Sequence, residues 1–261
     1  KSMVKDIESF GIKIIACGDL NQLPPVADDP GYLVDGKVHF LTDIMRQGEN
    51  SGIIYLADRA IKGLPIHYGT YNNAVVIDED MLTDDFLIQS PIILTCKNAT
   101  RETINSYLRD LRGVKSKLPM HGEPVICRKN NWSIECDGIN LVNGLRGIVE
   151  NFPDVSSRGS ERNIFKIDFR QGRLLFRDVK CDYFNADYDD KNRLRNSPYS
   201  PGNKIELAYA ITTHLSQGSQ YYSGIFIEEW LRKDVMPNLI YTGITRFSDY
   251  MIYVKRKPKF Y

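Results

Sequence analysis

Two side chains near the start of the sequence have the chemistry to meet a phosphate group. The string GDLNQLPPV at residues 18–26 places a carboxylate, Asp19, and an amide, Gln22, directly after the apolar run KIIAC at residues 13–17. A glutamine there can accept a hydrogen bond from an attacking water or donate one to a terminal phosphate oxygen. The string therefore predicts contact with a nucleotide. The plain alternative is a turn whose glutamine faces solvent.

Two arginines extend this chemistry. Arg46 lies in LTDIMRQ at residues 41–47, and Arg246 ends the string YTGITR at residues 241–246. A guanidinium is planar and always charged, so a pair can neutralise the charge that spreads over a transferring phosphoryl group. Either arginine alone is typical of an ordinary surface; together with the glutamine string they predict a phosphate-transfer site.

A polar turn near the end of the chain is the third candidate. The string TTHLSQGS at residues 212–219 holds hydroxyls and amides that suit phosphodiester oxygens, and Gly218 permits close backbone approach. The alternative is structural, with His214 inside a helix and residues 216–218 as an ordinary cap. We predict that Gln217 and the residues around it contact a nucleotide or a nucleic-acid strand.

The string TCKN at residues 95–98 follows another apolar run. Asn98 is predicted to cap a helix, and a helix N-terminus bearing Lys97 can hold a backbone phosphate. Capping without any ligand explains the string equally well.

Composition excludes several classes of protein. The 261 residues carry 34 Lys+Arg and 33 Asp+Glu, so a nucleic-acid site would have to be a local basic groove. The five cysteines are an odd number and include no CxxC pair, which supports neither a zinc site nor a disulfide framework. No apolar run reaches the roughly 20 residues that a membrane span needs. We expect a protein of the reducing cytosol that makes no membrane contact.

The pattern of apolar residues predicts the elements that position these strings. Residues 13–17 are predicted to form a buried parallel strand, and residues 41–63 hold apolar side chains at helical spacing, closed by Gly63. Residues 92–95 are predicted to be a second buried strand, followed by an amphipathic helix from Asn98. The fold class expected is α/β with a parallel sheet.

The pattern of apolar residues changes at about residue 118. Segments at 122–127, 145–150, 163–169 and 173–179 alternate like short antiparallel strands, which predicts a small β-barrel insertion with an exposed connection at 183–203. The α/β pattern resumes at residue 205. Strands at 225–227 and 250–254 are then expected around a helix that holds residues 239–245.

Taken in order, the strings resemble the later motifs of superfamily-one helicases, in the 5′-to-3′ branch that contains RecD and the phage Dda protein. The matches are motif III at 18–26, motif IV at 41–47, an accessory motif at 95–98 with Asn105, motif V at 209–219 and motif VI at 241–246. Motifs III and V are the specific ones, and the ordered set covers most of the chain.

The resemblance implies two RecA-like domains of the P-loop NTPase type, with ATP at their interface and single-stranded DNA running across both. Residues 1–40 would be the last part of the first domain, residues 41–118 and 205–261 the second, and residues 119–204 an inserted SH3-like β-barrel with its exposed connection.

The resemblance also implies roles for single residues. Gln22, Arg46 and Arg246 would be catalytic, acting at the γ-phosphate. The full sets implied for nucleotide contact are Asp19, Gln22, Arg46, Gln217, Gly218 and Arg246, and for nucleic-acid contact Thr95, Lys97, Asn98, Thr213 and His214.

The sequence departs from the family in several places. No GxxxxGK[ST] string occurs, and the Asp-Glu pair of motif II is absent. Leu215 stands where Lys or Arg is commoner, and Gly243 and Phe247 stand where Ala is commoner. The expectation is therefore the C-terminal part of a helicase whose missing N-terminal RecA-like domain is its partner.

The complete enzyme is expected to be an ATP-dependent, Mg²⁺-dependent DNA helicase that moves 5′-to-3′ on single-stranded DNA in the cytoplasm of a bacterial or phage-infected cell. These 261 residues alone are expected neither to hold ATP and Mg²⁺ firmly nor to hydrolyse ATP. Two alternatives stay open: a non-catalytic module that binds single-stranded nucleic acid, and a viral-type RNA helicase of the same superfamily.

Overall fold

The computed structural model describes residues 2–15, 17–24, 39, 51–116, 118–150, 154–155, 161–162, 164–168, 175–180 and 203–256. The predictions for residues 41–47, including Arg46, and for most of the connection at 183–203 lie outside these residues. The chain divides into two compact units: unit 1 is Lys1–Thr83 with Gln217–Tyr261, and unit 2 is Asp84–Ser216.

The secondary structure of the described residues mixes helices and strands. The α-helices are α1 (Ser2–Glu8), α2 (Gly52–Ile61), α3 (Asp84–Gln89), α4 (Asn98–Leu111) and α5 (Met236–Ile244). The strands are β1 (Gly69–Tyr71), β2 (Ala74–Asp78), β3 (Ile93–Thr95), β4 (Pro124–Cys127), β5 (Asn131–Cys136), β6 (Ile139–Leu141), β7 (Arg146–Val149), β8 (Asp154–Val155), β9 (Glu161–Arg162), β10 (Ile164–Asp168), β11 (Leu175–Lys180), β12 (Ile205–Leu207), β13 (Ala210–Thr212), β14 (Tyr221–Ile227) and β15 (Phe247–Lys255).

Unit 1 is built on neighbouring strands in the order β1-β2-β15-β14. β1 and β2 form an antiparallel hairpin, whereas β15 pairs in parallel with both β2 and β14. Parallel strands are covered on both faces, and the run Ile225, Phe226 and Ile227 in β14 is accordingly buried throughout. The strands predicted at 225–227 and 250–254, and the helix between them, are confirmed.

Helix α2 shows how local sequence sets the ends of an element. The Ser51 hydroxyl accepts the Ile54 N–H at 3.4 Å, and Gly63 follows the helix at φ +64°. The Leu64 N–H then returns 2.9 Å to the Arg59 carbonyl, which satisfies an end group that the helix leaves open. The predicted stop at Gly63 is confirmed, and the described helix begins at Gly52.

Helix α5 lies very close to β14, and Gly243 makes this possible. A Cβ at position 243 would lie within 2.8 Å of three atoms of the Phe226 ring. Both residues are buried, so neither the ring nor the helix has room to move aside. The glycine at this point of the string at 241–246 thus has a packing reason.

The strand predicted at residues 13–17 is wrong. Residues 12–15 form no strand, and Ile12 and Ile15 are 62% and 83% exposed. A parallel strand is stable only beside hydrogen-bonded neighbours, and no strand among the described residues pairs with this run. Its apolar pattern is real, but Ile15 faces solvent and Ile14 is only partly buried.

Unit 2 contains a parallel pair and a separate antiparallel sheet. β3 and β13 pair in parallel with Thr95 opposite Thr212, and α4 packs against both strands. The predicted strand and helix are thereby confirmed. The helix begins at Asn98 itself, so Lys97 holds the cap position and the prediction that Asn98 caps the helix is off by one residue.

The antiparallel sheet has the strand order β11-β10-β7-β4-β12, and every neighbouring pair is antiparallel. Its core is a cluster of buried apolar side chains: Leu118, Val125, Cys127, Leu141, Val149, Ile167, Phe176 and Ile205. The short alternating strands predicted after residue 118 are confirmed. β12, where the sequence predicts the return to the α/β pattern, pairs with β4, and parallel pairing resumes at β13.

Buried charges join α4 to this antiparallel sheet. Arg101 on α4 binds Glu206 on β12, and Arg128 lies 3.4 Å from the same carboxylate. Arg109, in the last turn of α4, makes a two-pronged contact with Glu123 at 2.8 and 3.0 Å. We call these five residues the ion-pair junction. Their side chains are at most 12% exposed, so each charge depends on its partner.

In the segments described, none of the helices combines the length and apolar character of a membrane span.

Candidate functional site

The loop at residues 18–24 is seated on helix α5. The Leu23 N–H donates to the Thr242 hydroxyl at 2.9 Å, and both residues are buried. The Asn238 amide nitrogen lies within 3.3 Å of three successive carbonyl oxygens, those of Leu20, Asn21 and Gln22. One side chain of α5 therefore holds the backbone of the whole loop turn.

Gln22 is oriented by Asp19 within the same loop. The Gln22 Nε2 donates to the Asp19 carboxylate at 3.1 Å, and the Tyr241 hydroxyl donates to the same oxygen at 3.0 Å. The other Asp19 oxygen accepts the Asn21 N–H at 3.0 Å. Because an ionised carboxylate only accepts, the NH₂ side of the Gln22 amide must be the side that faces Asp19.

Gln217 reaches the same loop from a different string. It lies in the turn that follows β13, beside Gly218 at φ +81°, and its Nε2 donates to the Leu23 carbonyl at 3.1 Å. The residue is exposed, which leaves the outer side of the turn open to a ligand.

Arg246 lies just past the end of α5 and is only 4% exposed. Its Nε donates to the Thr242 carbonyl and its Nη1 to the Ser219 carbonyl, each at 3.2 Å. The guanidinium therefore donates to backbone oxygens, the kind of acceptor that a phosphate oxygen can replace.

These contacts close into one hydrogen-bonded group centred on Thr242, which binds Leu23 through its hydroxyl and Arg246 through its carbonyl. We call it the loop–helix cluster: Asp19, Gln22, Leu23, Gln217, Ser219, Asn238, Tyr241, Thr242 and Arg246. The strings at 18–26, 212–219 and 241–246 thus meet in space. The predicted nucleotide-contacting residues Asp19, Gln22, Gln217, Gly218 and Arg246 all lie in or directly beside it.

Two of the predicted nucleic-acid residues have a different place. Thr95 and Thr213 are fully buried at the ends of β3 and β13. Thr213 donates both its N–H, at 2.8 Å, and its hydroxyl, at 3.1 Å, to the Thr95 carbonyl. In this structure the two hydroxyls hold strand ends together and present no surface to a ligand.

The other three predicted nucleic-acid residues reach the surface. Lys97 is exposed, Asn98 is partly exposed, and His214 is half-buried. Burial lowers the pKa of His214 below its ordinary value, which favours the neutral imidazole.

Asn238 lies outside the strings identified from the sequence and was not predicted as a site residue. Asn238, Tyr241 and Thr242 are spaced i, i+3 and i+4, which places all three on one face of a helix. That polar face on an otherwise apolar helix is the signal that predicts a contact there.

The chain is similar in structure to Pif1 helicases. It matches Pif1 from Candida albicans with a TM-score of 0.52 and 18% identity, over 94% of this chain and 64% of that one. A structure describing forked-DNA unwinding by two coordinating Pif1 helicases matches with a TM-score of 0.50 and 20% identity, over 90% and 59%. Bacteroides Pif1, in complex with ADP-AlF3 and single-stranded DNA, matches with a TM-score of 0.49 and 19% identity, over 90% and 60%.

The first two likenesses show that the chain has a fold found in Pif1 helicases, a mixed α/β fold with a partly parallel sheet. The chain spans less than two thirds of the length of each of these structures. No family model matches the sequence, and no curated protein matches it.

Proposed function

We propose that the loop–helix cluster is one wall of the ATP site of a DNA helicase, in which ATP hydrolysis drives 5′-to-3′ movement along single-stranded DNA. The observation that carries the proposal is the meeting of three strings, each resembling a different helicase motif: Leu23 binds both Thr242 and Gln217, and Arg246 binds Ser219. The fold shared with Pif1 helicases supports it. The 5′-to-3′ direction follows the resemblance to the RecD and Dda branch.

The side chains of this wall suit the outer end of a triphosphate. Gln22 and Gln217 supply amides, and Arg246 supplies a guanidinium that would exchange a carbonyl partner for a phosphate oxygen. Bound ATP, with Mg²⁺, supplies the phosphoryl group whose transfer to water releases free energy. In this proposal Arg46 is a second cation at the same phosphate.

The proposal assigns the remaining phosphate contacts to a RecA-like domain that carries a phosphate-binding loop. These 261 residues contain no GxxxxGK[ST] string, and we infer that they do not hydrolyse ATP by themselves. The exposed apolar side chains of Phe10, Ile12 and Ile15 support contact with such a domain, because large apolar groups that neighbour one another in sequence are seldom left in water. Residues 1–40 then belong to that first domain, and residues 41–118 and 205–261 to the second.

DNA is proposed to pass near the start of α4 and the turn after β13. Lys97, Asn98 and His214 reach the surface there, while Thr95 and Thr213 hold the strand ends that carry them. The antiparallel sheet between β4 and β12 is the proposed counterpart of an SH3-like barrel, a platform beside the strand.

The test is the ATPase activity of the protein made from the complete open reading frame that encodes these residues. We expect hydrolysis that single-stranded DNA stimulates and that Arg246→Ala abolishes, with unwinding of duplexes that carry a 5′ tail but not a 3′ tail. Stimulation by RNA instead of DNA would favour an RNA helicase.

The complete protein could also bind single strands without any ATPase activity, which would favour a non-catalytic binding module. The 261-residue chain is the matched control. A clear ATPase rate from that chain alone, lost on Arg246→Ala, would contradict the inference that it is inactive by itself.

A further inference from the structure

Asp19 accepts the hydrogen bonds that fix the loop around Gln22. Its carboxylate accepts three hydrogen bonds, from the Gln22 Nε2 at 3.1 Å, the Tyr241 hydroxyl at 3.0 Å and the Asn21 N–H at 3.0 Å. Two of these come from its own loop, and the third comes from helix α5. The carboxylate is thus fixed by the loop and by the helix together.

This arrangement selects one of two orientations of the Gln22 amide. A side-chain amide has a donating NH₂ side and an accepting carbonyl side, and rotation by half a turn exchanges them. The ionised carboxylate of Asp19 can only accept, so it binds the NH₂ side. The carbonyl oxygen of Gln22 is then directed away from Asp19, where it can serve as an acceptor.

The distinction matters for hydrolysis. An amide carbonyl orients a water for attack on phosphorus by accepting a hydrogen bond from it. An amide rotated the other way presents N–H groups, which donate to a phosphate oxygen and cannot orient the water. One rotation therefore separates an orientation suited to hydrolysis from one suited only to binding.

We propose that Asp19 and Tyr241 are positioning residues that fix the Gln22 amide with its carbonyl toward the attacking water. Asn238 supports them by holding the backbone carbonyls of the loop against α5. The proposal rests on the proposed function, since it takes Gln22 to face the nucleotide. It changes the role of Asp19 from a nucleotide contact to a group that acts through Gln22.

The position of Tyr241 makes the orientation of Gln22 depend on contact between the loop and α5. Tyr241 belongs to the helix that ends just before Arg246, so its hydroxyl reaches Asp19 only while the loop is seated on α5. Seating of the loop on α5 therefore also orients Gln22, through the bond from Tyr241 to Asp19.

The test compares two tyrosine variants in the protein from the complete open reading frame. Tyr241→Phe removes only the hydroxyl that binds Asp19. Tyr68→Phe is the matched control, because the Tyr68 hydroxyl also binds an aspartate carboxylate, Asp78, at 3.1 Å. From the worth of one hydrogen bond we expect Tyr241→Phe to lower kcat about fivefold with an unchanged KM for ATP, and Tyr68→Phe to change neither.

A wild-type kcat in Tyr241→Phe would overturn the proposal, and so would a raised KM with unchanged kcat, which would indicate a role in binding only. Asp19→Asn, whose amide can bind either side of Gln22, is expected to lower kcat further. If the wild-type protein shows no ATPase activity, the proposed function itself fails, which separates the two cases.

A second measurement needs no nucleotide. In the 261-residue chain labelled with ¹⁵N-glutamine, the side-chain NH₂ protons of Gln22 should exchange with water more slowly than those of an exposed glutamine. Tyr241→Phe and Asp19→Asn should speed that exchange, and Tyr68→Phe should not. Equal exchange in all four proteins would overturn the orientation we infer.

Discussion

The loop–helix cluster of unit 1 and the ion-pair junction of unit 2 hold their elements together by opposite means. In the cluster, most contacts join a side chain to a backbone carbonyl, and Asp19 and Gln217 are exposed. In the junction, Arg101 and Glu206 are buried with their charges paired. When an exposed hydrogen bond of the cluster breaks, water replaces the lost partner, so the cost in free energy is small. When a buried ion pair of the junction breaks, each charge is left without a partner and without water, so the cost is large.

The difference fits what each region is proposed to do. A loop that senses a phosphate has to exchange partners as the nucleotide changes, so weak and replaceable contacts suit it. A helix that anchors a sheet has to stay in one place. The comparison predicts that substitutions in the junction lower stability, while those in the cluster mainly alter local opening and catalysis.

Loss of one junction charge should have the largest effect on stability. Glu206→Gln leaves Arg101 and Arg128 without their shared carboxylate and should lower the free energy of unfolding by about 3–5 kcal/mol, measured by denaturant titration. Glu102→Gln is the control, because Glu102 binds the same arginine from a more exposed position, 21% against 9%. Equal losses in both variants would remove the distinction between buried and exposed partners.

Overpacking the close contact between α5 and β14 should have the next largest effect on stability. Gly243→Ala pushes a methyl group into the Phe226 ring and should cost about 1–3 kcal/mol. Adding Phe226→Leu, which removes the ring, should recover part of that loss. A Gly243→Ala variant as stable as wild type would show that the helix can move away from β14, contrary to the packing described.

Removal of the Thr242 hydroxyl should have a smaller effect on stability. Thr242→Val takes away the acceptor of the buried Leu23 N–H. Because the loop can open and hydrate that group, we expect a loss of only about 1 kcal/mol.

The sharper readout for Thr242→Val is hydrogen exchange, in which the Leu23 amide should lose its protection while amides of β14 keep theirs. Thr242→Ser, which keeps the hydroxyl, should retain the protection. Loss of protection throughout β14 would mean that the loop and the sheet open together.

The smallest effect should be the pH dependence due to His214. Burial lowers its pKa below the ordinary value of 6.5, so the folded chain binds this proton less tightly than the unfolded chain does. Stability from this residue is then complete above the unfolded pKa and falls as the pH drops below it. Relative to His214→Gln, the wild type should lose stability as the pH falls below about 6.5, the ordinary pKa of the unfolded imidazole. A constant difference would contradict the burial of the imidazole.

The sequence named four residues of the cluster as nucleotide contacts, Asp19, Gln22, Gln217 and Arg246, and that role stays a prediction. Gln22, Gln217 and Arg246 each lie in a string whose polar groups suit a phosphate, and the structure brings these strings together. Asn238 lay outside the strings because an asparagine on a helix gives no sign of which backbone it holds. Its partner is more than 200 residues away in sequence.

The junction could not be predicted in the same way. Patterns of charge identify Arg101 and Glu206 as surface residues, and only the docking of α4 on β12 buries them. The prediction of a strand at residues 13–17 was wrong because it, too, depended on residues distant in sequence. Its apolar pattern favours a buried strand, but pairing depends on neighbours that the pattern does not contain.

A double-mutant cycle on ATP hydrolysis tests most directly whether Gln22 and Arg246 act on one phosphate group. In the protein from the complete open reading frame, Gln22→Ala and Arg246→Ala should each lower the DNA-stimulated kcat by about a hundredfold or more, with binding of single-stranded DNA retained. The double variant should be about as slow as the slower single variant, because the two groups act as a unit. A wild-type kcat in Gln22→Ala, or losses that multiply, would contradict the account.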